Sequence, residues 1–187
     1  MPEETTDHII LGIDPGTNIM GYALLKTHAR NSEILTLDVV NLKKQPDQSA
    51  KLKMIFDSTL ELIETYRPDI LAIEEPFYGK NPQSMLKLGR AQGVVIGACL
   101  HAELEVYEYT PRRIKQAITG KGAASKEQVA AMLHSMYTFS TETRYLDATD
   151  ALAAAVTHHL QNRIVLNTGK ASGWEAFLAQ HKDRIIG

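Results

Sequence analysis

Four acidic residues occupy positions where a carboxylate is costly unless it is paired or binds a cation: Asp14, Glu74, Asp147 and Asp150. Two of them close short apolar runs, Ile-Leu-Gly-Ile-Asp14 and Leu-Ala-Ile-Glu74. The other two open an alanine-rich stretch, Asp147-Ala-Thr-Asp150-Ala-Leu-Ala-Ala-Ala, and their i, i+3 spacing puts both on one helical face. Carboxylates converging from different elements suit Mg²⁺, which prefers oxygen ligands. A pair of such ions can activate an attacking water and stabilise the leaving oxygen of a phosphoryl displacement. Each acid also has a plainer reading. Asp14 before Pro15-Gly16 fits a turn, Asp147 a helix N-cap and Asp150 a favourable first-turn charge. Glu74 or Glu75 fits a strand-end charge in solvent. Taken together, the plainer readings require four acids at the ends of core elements by coincidence.

The elements that must position these acids follow from the pattern. Ile9–Asp14 reads as a strand whose last residue is held extended by Pro15. Strands near Gly21–Leu25 and Ile34–Asn41 complete an antiparallel meander. A helix starts near Asp47, with Leu52, Ile55, Phe56, Thr59, Leu60 and Ile63 on one face, and ends at Arg67-Pro68. Ile70–Ile73 has the unbroken apolar character of a central strand. Asn81-Pro82 opens a helix to about Ala102, Glu105–Tyr109 is a short strand, and Thr110-Pro111 opens another helix. Ser125 with Gln128 has capping-box form, placing Lys126 in a first turn. A last helix runs from about Asp147 to Gln161. The order predicts an α/β domain with a mixed five-stranded sheet flanked by helices. Sites in such folds lie beyond the carboxyl ends of central strands, where Asp14 and Glu74 both fall.

With 187 residues the chain is expected to form one domain over residues 1–163 and a C-terminal extension over 164–187. Its one cysteine, Cys99, suits a reducing compartment. The polar N-terminus and the shortness of the longest apolar stretch predict a cytoplasmic protein with no membrane association. A net charge of −2 hides an uneven distribution. Between Lys80 and Lys126 stand eight basic residues, including Lys87, Arg90, Arg112, Lys115 and Lys121, against three acidic ones. Such a stretch suggests a phosphate-attracting face, or simply a solvated one. Phe77-Tyr78, just past the strand ending in Glu74, is an odd place for core aromatics and fits stacking on an unpaired base. Gly89, Gly93 and Gly97 mark one helix face that another element can approach closely; that element is a second copy or the chain's own sheet. Gly120 and Gly122 suggest a loop ordered by DNA. His158-His159 read as partly exposed structure rather than ligands.

The blocks LGIDPGTNIMGYALL, LAIEEPF, KNPQSMLKLGRAQGV, RRIKQAITGKGAASKEQV and LDATDALAAAVTHH, in that order over about Ile9 to Leu160, resemble the RuvC family of crossover junction endodeoxyribonucleases. The resemblance implies a ribonuclease H-like fold, a homodimer, and paired nicking of a four-way (Holliday) junction with two Mg²⁺ ions per site or Mn²⁺ as substitute. It assigns the catalytic and metal-binding acids to Asp14, Glu74, Asp147 and Asp150, the basic residues near the scissile phosphate to Lys115 and Lys126, and the aromatic at the junction centre to Phe77. Tyr78, Lys80, Lys87, Arg90, Arg112 and Lys121 are further candidates for DNA contact. A branch-migration helicase complex is an implied partner. Glu75-Pro76 departs from many relatives, and strand phase alone does not say which glutamate faces the metals. The tail, with Trp174, Phe177, Leu178 and His181 at helical spacing, lies beyond the resemblance.

Three other readings compete. The Gly-Ile-Asp-Pro-Gly-Thr17 segment also resembles a phosphate loop of actin-like and sugar-kinase ATPases, but the chain has length for only one of the two domains those enzymes need. A related ribonuclease H-like nuclease with another branched DNA or RNA substrate would keep the same acids. A non-catalytic junction-binding scaffold would be expected to have lost at least one of them.

Overall fold

The structure, a computed structural model, describes residues 7–28, 31–75, 81–139 and 146–168, with side chains through Gln161. Five strands form one sheet: β1 (His8–Asp14), β2 (Ile19–His28), β3 (Asn31–Asn41), β4 (Ile70–Glu74) and β5 (Glu105–Tyr109). Their spatial order is β3-β2-β1-β4-β5. The first three run as the expected antiparallel meander, and β4 and β5 add in parallel to β1. The hairpin strands are longer than the apolar pattern suggests. Lys26, Thr27 and His28 still pair with Glu33, Ser32 and Asn31, because the hydrogen-bonded ladder continues where the side chains have become polar.

Five helices flank the sheet: α1 (Gln48–Tyr66), α2 (Pro82–His101), α3 (Pro111–Thr119), α4 (Lys126–Met136) and α5 (Leu146–Thr168). Four begin at caps legible in the sequence. Asp47, Asn81, Thr110 and Ser125 each accept a backbone N–H of the first turn, satisfying donors that a helix start leaves without partners. Ser125 and Gln128 form the complete capping box. α5 runs on to Thr168, past the expected end at Gln161, since no proline or glycine intervenes before Gly169.

Strand alternation divides the core in two. Leu11, Ile13, Leu71 and Ile73 point to one face, against Ile55 and Leu62 of α1 and Ala91, Val95 and Cys99 of α2. Ile10, Ile70, Ala72, Ala23 and Leu25 point to the other, against α3, α4 and the alanine-rich α5. Ala151 to Val156 are all buried, so α5 is enclosed rather than laid on a surface. His158 and His159 are buried too, 1% and 6% exposed, which corrects the expectation of partial exposure. The Tyr109 hydroxyl lies 2.7 Å from His158 Nδ1, giving the imidazole a partner inside the core. No described helix is long and apolar enough to cross a membrane.

Candidate active site

The same alternation decides what the sequence left open between Glu74 and Glu75. Ile70 and Ala72 face α5, so Glu74, two residues further, faces α5 as well. On β1, Ile10 faces α5 and Asp14 is in phase with it. Because β1 and β4 are adjacent and parallel, with Ile13 beside Ile73, both acids emerge at one end of the sheet. Glu75 instead continues the β4–β5 pairing by donating its backbone N–H to the Tyr109 carbonyl at 2.9 Å.

Asp147 and Asp150 reach this end because α5 lies unusually close to the sheet. Two glycines in the strands make the approach possible. A Cβ on Gly21 would stand 2.1 Å from the Asp147 carbonyl oxygen, and one on Gly12 would stand 2.1 Å from that of Ala151. Real Cβ atoms essentially never come within 3.0 Å of such atoms. Gly21 also pairs directly with Asp14 across β1 and β2, so the closest helix contact lies beside the acid. The sequence reading did not single out these glycines for packing. Their signal was there: a glycine inside a buried strand marks a close backbone approach, and an alanine-rich helix supplies the partner.

The electrostatics confirm that the acids share one neighbourhood. The Asp14 carboxyl is pushed up to about 7, first by burial and then by the negative charges of Asp150 and Glu74, with Asp147 adding to the effect and Lys126 opposing it. Glu74 is raised for the same two reasons, burial and then Asp150, with Lys126 and Lys115 acting in the other direction. Lys126 Nζ donates to Asp150 Oδ2 at 2.5 Å. Burial works against the lysine's charge, but Asp150, Asp14 and Glu74 more than offset it and raise its pKa. Asp14 therefore feels the other three acids and Lys126, and Glu74 feels Asp150 and both expected lysines.

The donor set is oxygen only, and its negative field, only partly offset by the lysines, is the kind that a hard divalent cation such as Mg²⁺ relieves. The acids fit such an ion. Among the described residues, however, no group of three potential ligands is already closed around one point. The acids are neighbours, not a preassembled shell.

Two residues with no mark in the sequence pattern, Lys51 and Gln92, brace this end of the sheet. Lys51 Nζ, from α1, donates to the Thr17 carbonyl at 2.8 Å and to Asn18 Oδ1 at 2.9 Å, tying down the turn after Asp14. Gln92, buried on α2, donates to Glu108 Oε2 at 2.9 Å and approaches the Glu74 carbonyl at 3.4 Å.

The remaining candidates are more scattered. Lys87 and Arg90 are exposed on α2, and Arg112 and Lys121 are exposed around α3. Phe77, Tyr78 and Lys80 lie outside the described residues, as do Trp174, Phe177, Leu178 and His181. The segment after α3 is a defined turn. Gly120 takes the left-handed cap at φ 75°, the Ala124 N–H donates to the Lys121 carbonyl, and Ala124 is buried. A Cβ on Gly89, Gly93 or Gly97 would meet nothing within 4 Å, so these glycines face away from their own sheet. That removes the reading in which they only seat α2 on it.

A mixed β3-β2-β1-β4-β5 sheet, with acids at the ends of its two central parallel strands and two more on a helix laid across them, defines a nuclease of ribonuclease H-like fold. The family model described as crossover junction endodeoxyribonuclease RuvC matches residues 10–158. The chain belongs to the RuvC family. It is 51% identical to the crossover junction endodeoxyribonuclease RuvC of Christiangramia forsetii, covering 96% of this chain and 94% of that one. It is 49% identical to that of Bacteroides fragilis, covering 99% and 100%. The fold superposes on T. thermophilus RuvC in complex with a Holliday junction substrate with a TM-score of 0.78, at 32% identity over 84% of this chain and 96% of that one. Nucleases of this family are metal-dependent.

Proposed function

We propose that this protein resolves Holliday junctions by placing paired, symmetric nicks in four-way DNA during recombination and repair. Family membership supports the reaction, and the observation that carries the site assignment is the gathering of Asp14, Glu74, Asp147 and Asp150 at one end of the sheet. These acids would hold two Mg²⁺ ions, with Mn²⁺ as a substitute. Bound there, the metal supplies the activated water and the stabilisation of the departing 3′ oxygen.

The chain's own residues do the rest. Lys126, with its side chain 75% exposed, offsets charge on the scissile phosphate, and Lys115, whose field reaches Glu74, assists from α3. Lys87, Arg90, Arg112 and Lys121 guide the phosphate backbone, and Lys80 is a further candidate for the same role. Phe77 and Tyr78 stack on bases opened at the junction centre. The exposed glycine face of α2 supports a homodimer, because a two-fold pair of identical sites matches a junction's approximate symmetry. A branch-migration helicase complex is the expected partner in the cytoplasm. Residues 1–163 carry the nuclease, and 164–187 form an extension.

The test compares a synthetic four-way junction with a linear duplex of the same sequence, in Mg²⁺ and in EDTA. Symmetric nicks in the junction alone, and only with metal, are expected. Equal cutting of both substrates would leave a nuclease without junction specificity. Tight junction binding without cutting under any condition would leave a scaffold.

A further inference from the structure

The acid cluster contains a cation of its own. Lys126 stands at the first position of α4, where a positive charge opposes the helix dipole, so its own helix gives it no reason to be there. Its partner is on another element, Asp150 of α5, at 2.5 Å. Asp150 is also the acid whose charge most strongly perturbs both Asp14 and Glu74. The lysine therefore neutralises the carboxylate at the centre of the mutual repulsion. It does so from a firm base, because the Ser125–Gln128 capping box fixes the start of α4, and Val129 and Leu133 anchor the helix in the core.

We propose that Lys126 is the resident cation of the metal-free site: it occupies the Asp150 oxygen that a divalent ion needs, offsets that carboxylate's charge until the ion arrives, and is then released toward the substrate phosphate. This rests on the reading of the four acids as metal ligands. An ammonium and a divalent ion compete for the same carboxylate lone pairs, so each displaces the other. The exposure of the lysine side chain, 75% against 25% for Asp150, leaves it room to swing away while Asp150 stays in place. Metal arrival and phosphate capture thereby become one exchange: the ion that prepares the site also frees the cation that the substrate meets.

The exchange has a signature that a merely structural lysine would not give. Removing the ammonium destabilises the metal-free protein yet tightens metal binding, whereas local disruption would weaken both. The full-length wild type, Lys126→Met, Lys126→Gln and Lys115→Met are titrated with Mn²⁺ by calorimetry without DNA, and their thermal unfolding is followed in EDTA and in saturating Mn²⁺. Lys126→Met and Lys126→Gln should bind Mn²⁺ about tenfold more tightly, a change of ~1.4 kcal/mol, and Lys115→Met should change affinity less than about threefold. The two Lys126 variants should melt lower than wild type in EDTA, with the gap closing in Mn²⁺. Unchanged or weaker Mn²⁺ binding by both Lys126 variants would overturn the proposal. So would equal tightening by Lys115→Met, which would reduce the effect to general field. If no protein in the set binds Mn²⁺, the metal-site reading itself fails. Binding by the wild type with unaltered affinity in the Lys126 variants removes the resident cation alone.

Discussion

Gly21→Ala tests whether close seating of α5 is what assembles the site. The added Cβ would lie 2.1 Å from the Asp147 carbonyl oxygen, and ordinary contact begins at 3.4 Å, so relief requires about 1.3 Å of movement. The neighbour is helix backbone, which has no rotamer to change, so the start of α5 must retreat or β2 must bow. Either motion separates Asp147 and Asp150 from Asp14, which pairs with Gly21 itself. Overpacking of this kind costs about 1–3 kcal/mol of stability, and a displacement near 1 Å at a reacting centre costs on the order of 100-fold in rate. The expected result is a folded protein with a lowered melting temperature and junction binding close to wild type. Its single-turnover cleavage in Mg²⁺ should be reduced about 100-fold. Wild-type cleavage rates in a folded Gly21→Ala protein would refute the argument that this contact sets the distance between the acids.

Four further outcomes follow from the same geometry. Asp14→Asn should abolish cleavage while keeping junction binding; because burial and neighbouring carboxylates raise its pKa to about 7, it should also stabilise the metal-free protein at pH 8 and much less at pH 5, by thermal melting. Gly93→Ala adds a methyl into open space, so the monomer should gain up to about 1 kcal/mol of helix stability while dimerisation, measured by sedimentation, weakens. Burial lowers the His158 pKa to about 4 from an ordinary 6.5, so the unfolded chain binds the extra proton first: stability present above pH 6.5 should decline by up to about 3 kcal/mol as pH falls toward 4, and His158→Gln should flatten that slope in denaturant titrations. Lys51→Met removes both hydrogen bonds to the turn after Asp14 and should lower cleavage several-fold with junction affinity unchanged, whereas a change in affinity alone would place Lys51 in DNA contact instead.

Local chemistry was the legible part of this sequence. Asp47, Asn81, Thr110 and Ser125 announced four helix starts because a cap is a contact within one turn. Asp14 and Glu74 stood out because an acid ending an apolar run is visible in one dimension. The choice between Glu74 and Glu75 was not, since both faces of a central strand are apolar and phase has meaning only once α5 is known to cover one of them. For the same reason His158 read as half exposed: its position late in a helix says nothing of Tyr107 and Tyr109 on β5, which close over it. Lys51 and Gln92 bond across |i−j| of 34 and 18 residues, to backbone carbonyls that any sequence would supply. Such contacts carry no mark in the pattern. Gly12 and Gly21 are intermediate cases: a glycine inside a strand signals a close approach, but only the placement of α5 shows what approaches.

The arrangement works against itself in a way that explains its construction. Four carboxylates of like charge repel, and burial, followed by the charges of Asp150 and Glu74, pushes Asp14 up to about 7. A looser scaffold would relieve that strain by letting the acids drift apart. This one has little freedom to do so, because α5 is enclosed along Ala151–Val156 and touches the strands backbone to side-chain position at Gly12 and Gly21. Core packing on the far side of the helix thus holds the charges together at its near end. The repulsion that remains is what a cation relieves, so the burial that stabilises the fold also creates the demand for metal. On this argument a substitution that loosens α5 should make the metal-free protein more tolerant of high pH even as it destroys cleavage. That pairing separates loss of the site's geometry from loss of the fold.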